Sequence, residues 1–223
     1  MHFALRLQSA KLAFFPNGLM LFSRASQALK FHLTPWITGR GFFAIAAVAA
    51  VLALLARFVL APVYRDLTGF LPFDLQVPLS RFMIGVELGA FDGASAISAY
   101  VIFAAVHFAF GIAVAALFTL LWAWLFSLTS SRVFAFLKRG GILMVPWYVV
   151  IVDLLGKVGF YRLLGGLTWP AYALTIELCA PLHRFKFALA DIRNYVTIAF
   201  VLIVVVDIVR RRNAREDRPD FTS

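Results

Sequence analysis

Charge is what this sequence lacks most. Between Asp92 and Arg132 there is no Asp, Glu, Lys or Arg. A helix crosses the hydrocarbon core of a bilayer in about 20 apolar residues, so this gap alone is long enough to span one. Only 14% of the 223 residues are charged, and 62% are hydrophobic, with a mean hydropathy of +0.88. A soluble domain carries about 25% charged residues, and this chain could not cover its surface with polar groups in water. Cysteine is nearly absent. Cys179 stands alone, which excludes an intramolecular disulfide and any multi-cysteine metal site. Acids are scarce too: 11 against 21 Lys and Arg, the first being Asp66. In a soluble protein a net charge of +10 would suggest nucleic acid. Here the basic residues flank apolar runs, so they are read as setting orientation and meeting anionic lipid headgroups, and no nucleic-acid partner is expected.

Signatures of chemistry are also missing. The chain has no Gly-rich phosphate loop, no His-x-x-x-His pair and no nucleophile elbow. His107 is the single histidine inside an expected span, and a haem held between helices wants two. No cofactor and no metal site is therefore expected. No internal repeat of 20–50 residues is visible.

What the sequence does contain is an all-α, polytopic integral membrane protein with four transmembrane helices. The spans are expected at about 41–63, 98–124, 141–162 and 193–209. The first is rich in Ala (Ala44, Ala46, Ala47, Ala49, Ala50, Ala53), and small residues let helix backbones approach closely in lipid. Tyr100 and the Trp122/Trp124 pair suit the two aromatic belts of the second, since 22 residues of helix cover roughly 33 Å. Gly165-Gly166 is placed to end the third, because Gly accepts the left-handed conformation beyond a helix. Residues 65–95 read as a loop, and residues 163–190, with Pro170 and Pro181, as ambiguous between re-entrant, interfacial and spanning. Gly85, Gly89 and Gly93 fall at i, i+4 and i+8, a spacing that suits a close-packing face but is favoured as accidental.

Residues 1–40 form a basic, acid-free segment with Arg6, Lys11, Arg24, Lys30 and Arg40. Within it Ser23, Arg24, Ser26, Gln27 and Lys30 share one helical face, and Leu21, Phe22, Ala25, Ala28, Leu29 and Leu33 share the other. That is the pattern of an amphipathic helix lying in the membrane interface. A mitochondrial presequence shares the basic, acid-poor composition and ranks below it. Residues 210–223 form a basic tail opened by Arg210, Arg211 and Arg212. With four spans, thirteen Lys and Arg fall on one side (the N-terminal segment, the 129–140 loop and the tail) and six on the other. The positive-inside rule then puts both termini in the cytoplasm, and a bacterial inner membrane is the expected location. Arg24, Lys30 and Arg210 to Arg212 are the expected lipid-contacting residues.

Ionisable residues inside spans are costly and often functional. Arg57, His107, Asp153 and Lys157 qualify. Asp153 and Lys157 are i, i+4 on one helix face. With a core of about 30 Å and 1.5 Å per residue, the four fall at depths of roughly 18–24 Å from the cytoplasmic edge, close enough to meet. They form the candidate functional cluster. The favoured reading of them is a neutralising Asp153–Lys157 pair with Arg57 reaching outward along its stem, ahead of a proton or ion pathway. From the sequence the favoured function is a non-enzymatic subunit or assembly factor of a larger membrane complex, with a membrane-protein partner or a second copy of the chain. The alternative is a small transporter or channel component moving protons, ions or a small solute through that cluster. A lipid-modifying enzyme using Glu177, His183, Arg184 and Asp191 ranks third.

Overall fold

A computed structural model describes residues 39–89, 94–129, 134, 136–137, 141–166 and 171–216. Every regular element among them is helical. The expected amphipathic segment, with Arg24 and Lys30, lies outside the described residues, as does Gly93.

Four helical stretches are long and apolar enough to cross a membrane: Gly39–Thr68, Ala94–Ser127, Ile142–Leu164 and Ala171–Asn213. The all-α polytopic membrane fold read from the sequence is therefore what the chain adopts. The first stretch consists of α1 (Gly39–Leu54), a π-helical turn at Leu55–Leu60 and α2 (Ala61–Thr68). It stops at Gly69, whose φ of 78° is the left-handed conformation that glycine adopts without a Cβ penalty, and the Gly69 N–H donates to Arg65 O at 2.7 Å. Residues 65–95, read as a loop, are more ordered than that. A short 3-10 turn at Phe73–Leu75 is followed by α3 (Arg81–Gly89), opened by Ser80, whose Oγ accepts from the Met83 N–H at 3.1 Å. Gly85 and Gly89 are on α3, and a Cβ at either would meet nothing, so neither makes a close-packed face.

The second stretch is the single helix α4 (Ala94–Ser127). The third is α5 (Val145–Leu164), entered from a left-handed Gly141 and carrying Pro146 in its first turn, where a missing N–H costs nothing. It ends at Gly165-Gly166, with Gly166 at φ 77°. The fourth is α6 (Ala171–Glu216), 46 residues with Pro181 inside. The ambiguous segment therefore belongs largely to this helix, and the apolar run at 193–209 is its later part.

The chain divides into two units. One comprises Phe42–Leu117 and Pro146–Arg193. Its core joins Tyr64, Phe73, Leu79, Ile84, Tyr100, Phe160 and Cys179, with Phe73 stacked on Phe160 at 4.3 Å between ring centroids. Within it α5 and α6 approach closely: a Cβ on Gly159 would lie 2.6 Å from Cys179 Sγ. The other unit includes Phe118–Val145 and Asn194–Ser223. Its core gathers Trp122, Phe126, Phe134, Phe200 and Val204, with the Trp122 indole N–H donating to Thr197 Oγ1 at 2.8 Å. Many of the exposed side chains are large and apolar, Phe43, Val51, Phe58, Ile151, Leu155 and Leu202 among them. This is the surface a lipid-facing helix presents.

Candidate functional site

The first unit buries charge. Asp153 stands at the midpoint of the third span, Ile142–Leu164, and Lys157 lies one turn further along the same face. Lys157 Nζ donates to Asp153 Oδ2 at 2.7 Å. It also donates to Asp74 Oδ1 at 2.7 Å and lies 3.1 Å from His107 Nδ1. Lys186, from α6, donates to Asp153 Oδ1 at 3.0 Å and approaches Asp74 Oδ1 at 3.5 Å. Four segments thus converge: the 3-10 turn carrying Asp74, then α4, α5 and α6. Asp74, Asp153, Lys157 and Lys186 are each at most 7% exposed.

The physical logic is compensation. An isolated ion in low dielectric is prohibitively costly, and a buried pair is tolerated only when its remaining lone pairs and protons are also satisfied. Here two carboxylates face two ammonium groups. Burial pushes the Asp74 carboxyl up, but the Lys157 and Lys186 ammonium groups outweigh it and hold that carboxyl below the ordinary carboxylate range. An ammonium only donates, so His107 Nδ1 accepts from Lys157 and its proton is assigned to Nε2. Phe103 stacks on the His107 ring at 5.6 Å and fixes its plane.

Asp74, His107 and Asp153 each bring one ligand atom within 4.8 Å of the others, a spacing that suits a cation. The Lys157 ammonium is bound by these same three residues. The chain therefore supplies the cation itself, on a flexible stem.

A second buried polar group adjoins the first through the Asp74–Gln76 segment. Tyr64 OH donates to Glu87 Oε1 at 2.5 Å, Gln76 Nε2 donates to Glu87 Oε2, and His183 Nε2 donates to Gln76 O at 2.8 Å. Burial pushes the fully enclosed Glu87 carboxyl up to about 7, against the Tyr64 and Gln76 hydrogen bonds that pull it down. Three buried side-chain oxygens, Asp74 Oδ2, Gln76 Oε1 and Tyr100 OH, have no hydrogen-bond partner among the described residues.

The ion cluster does not close on itself. A cavity of about 330 Å³ opens beside it, lined by Asp74, His107, Asp153, Lys186 and Arg193, and otherwise by apolar groups including Leu75, Val77, Phe110, Val114, Val149 and Phe187. Comparison with family models, with curated proteins and with solved structures gives no match. The functional reading therefore rests on this geometry.

Of the four residues singled out in the sequence, the structure joins His107, Asp153 and Lys157. Arg57 is not with them: it is exposed, on the π-helical turn, and no hydrogen bond or ion pair links it to the cluster among the described residues. The sequence reading missed Asp74 and Lys186. A signal for both existed. Each is a charge set among apolar neighbours, Phe73-Asp74-Leu75 and Phe185-Lys186-Phe187, where no solvated face accounts for it. Arg210, Arg211 and Arg212 are exposed on α6, and Arg211 pairs with Asp207 one turn earlier at 2.5 Å. The third-ranked enzyme grouping does not assemble. Glu177 pairs with Arg81 at 2.5 Å, His183 is turned to Gln76, and no bond joins Glu177, His183, Arg184 and Asp191 to one another among the described residues.

Proposed function

We propose that this membrane protein is a small carrier or channel component, and that its solute site is the cavity beside Asp74, His107, Asp153, Lys157 and Lys186. One observation carries the reading. A cluster serving only to neutralise itself needs no open volume, whereas this one forms part of the wall of a cavity whose remaining surface is apolar. Small-ligand sites are built in that way, with a few convergent polar groups in a mostly hydrophobic enclosure. Placing ionisable groups between apolar spans is costly, and solute and proton pathways are where membrane proteins bear that cost. The subunit or assembly-factor reading draws instead on small-residue faces, abundant Phe, the basic N-terminal segment and the lack of a catalytic signature in the sequence.

The test is the double variant Asp153→Leu with Lys157→Leu. It removes one acid and one base, leaving Asp74 and Lys186 to pair. The variant is expected to fold, reach the membrane and fail to complement a deletion. A stable, fully complementing double variant would falsify the carrier reading.

The same proposal takes both termini as cytoplasmic. Arg210, Arg211 and Arg212 then meet anionic headgroups at the inner surface. Of the six basic residues counted on the opposite side, Lys186 is buried in the cluster and Arg81 is paired with Glu177. Reporter fusions at each terminus check this, and an extracytoplasmic C-terminus would refute it.

A further inference from the structure

We infer that the cavity takes a small aliphatic monocarboxylate, its chain among the apolar residues and its carboxylate toward His107 and Lys186. The inference deepens the carrier reading and rests on it.

The argument is an account of donors and acceptors. Lys157 has three N–H groups, and Asp74, Asp153 and His107 Nδ1 take all three. Lys186 has three, of which Asp153 and Asp74 take two, leaving one with no nitrogen or oxygen acceptor among the described residues and only the Phe187 ring face, 5.0 Å from Nζ, beside it. His107, with Nδ1 accepting, carries its proton on Nε2, and Nε2 has no partner among the described residues. Both side chains line the cavity. The acceptors there are already engaged. Both Asp153 oxygens and Asp74 Oδ1 receive lysine N–H groups, and Asp74 Oδ2 is closed to a water-sized molecule. At His107 and Lys186 the cavity therefore offers donors without matching acceptors. A ligand that completes it must bring acceptors and preferably negative charge. The rest of the wall, from Val77 and Phe110 to Val149 and Phe187, offers only apolar contact, so the remainder of the ligand is hydrocarbon. A cavity of about 330 Å³ suits a chain of a few carbons, well short of a full lipid tail.

Gly111 supplies the means of testing this. It lines the cavity, and a Cβ built on it meets nothing within 4 Å. Gly111→Leu places side-chain volume in the cavity one helical turn beyond His107, and it replaces a helix-interior glycine with a better helix former.

The experiment measures thermal unfolding of the full chain in nanodiscs with hexanoate, hexylamine and hexanol, for wild type and for Gly111→Leu. Hexanoate is expected to raise the wild-type midpoint by roughly 5 °C at a large excess over its Kd. Hexylamine and hexanol should not do so, and Gly111→Leu should lose the response while unfolding at or above the ligand-free wild-type midpoint. An equal or larger shift with hexylamine overturns the carboxylate assignment and leaves the cavity as a solute site. No shift with any probe also overturns the assignment, and complementation by Gly111→Leu then decides the rest. Failure to complement preserves the carrier reading. Full complementation removes that reading as well.

Discussion

The two units solve the same problem, filling the space between long apolar helices, with opposite materials. Around Trp122, Phe126, Phe134 and Phe200 the interior is a set of edge-to-face and tilted rings with centroids 4.8–5.3 Å apart. Among the described residues its ion pair is peripheral. Asp207 accepts from Thr129 Oγ1 and pairs with Arg211 at the surface. Around Asp153 the interior is ionic, and each acid is held by two lysines. Aromatic packing fills space and tolerates small losses one contact at a time. A buried ionic network behaves as a unit, because removing one member strands the others in low dielectric. The contrast is one of cooperativity, and substitution can test it.

The largest effect is expected from Asp153→Leu alone. Lys157 and Lys186 would then share the single carboxylate of Asp74, and the loss should be about 3–5 kcal/mol, the range for breaking a buried pair. Chemical unfolding in mixed micelles measures it, and a loss no larger than that of a surface substitution would erase the distinction between the units. Adding Lys157→Leu to that background should recover most of the stability, since Asp74 and Lys186, 3.5 Å apart, remain balanced. Two losses that simply add would mean that the network is not a unit.

In the aromatic unit, Trp122→Phe removes the indole N–H bonded to Thr197 and should cost about 1 kcal/mol, the usual net worth of one neutral hydrogen bond, plus a little packing. A loss comparable to that of Asp153→Leu would show the aromatic unit to be equally cooperative.

A pH slope is also expected. The Glu87 carboxyl sits at about 7 when folded, against an ordinary 4.5, so the folded chain holds this proton more tightly. Its contribution is fully present below the ordinary value and is lost as pH rises through about 7. Asp74 runs the other way, adding stability above the ordinary carboxylate range and losing it as pH falls below that range. Glu87→Gln should therefore flatten the stability profile between pH 4.5 and 7 relative to wild type. Parallel profiles for the two proteins would remove Glu87 as the source.

The spans were legible because their cause is local: an unbroken apolar run of sufficient length has one stable solution in a bilayer. Asp153 and Lys157 were legible for a related reason, since i, i+4 spacing on a helix guarantees contact. His107 was found from depth alone. Asp74 could not be found that way. Its position depends on how the chain turns after Gly69, a tertiary fact that no periodicity encodes. Lys186 was hidden by Pro181, which suggests a break where α6 continues. Arg57 matches the others in depth, yet depth says nothing about which way a helix face points. Cys179 is buried against Gly159, so a thiol reagent does not report topology here.

Lys157 occupies a position among Asp74, His107 and Asp153 that a free metal cation would otherwise suit. A bound ion has an occupancy: it follows supply, competes with other ions and leaves to a chelator. A lysine ammonium has none of these dependences, because the peptide chain delivers it at full stoichiometry during synthesis. The charge balance of this interior is therefore insensitive to the ionic composition outside. It is sensitive instead to covalent chemistry at one nitrogen, since acylation of Lys157 Nζ would remove the charge, which no chelator could do.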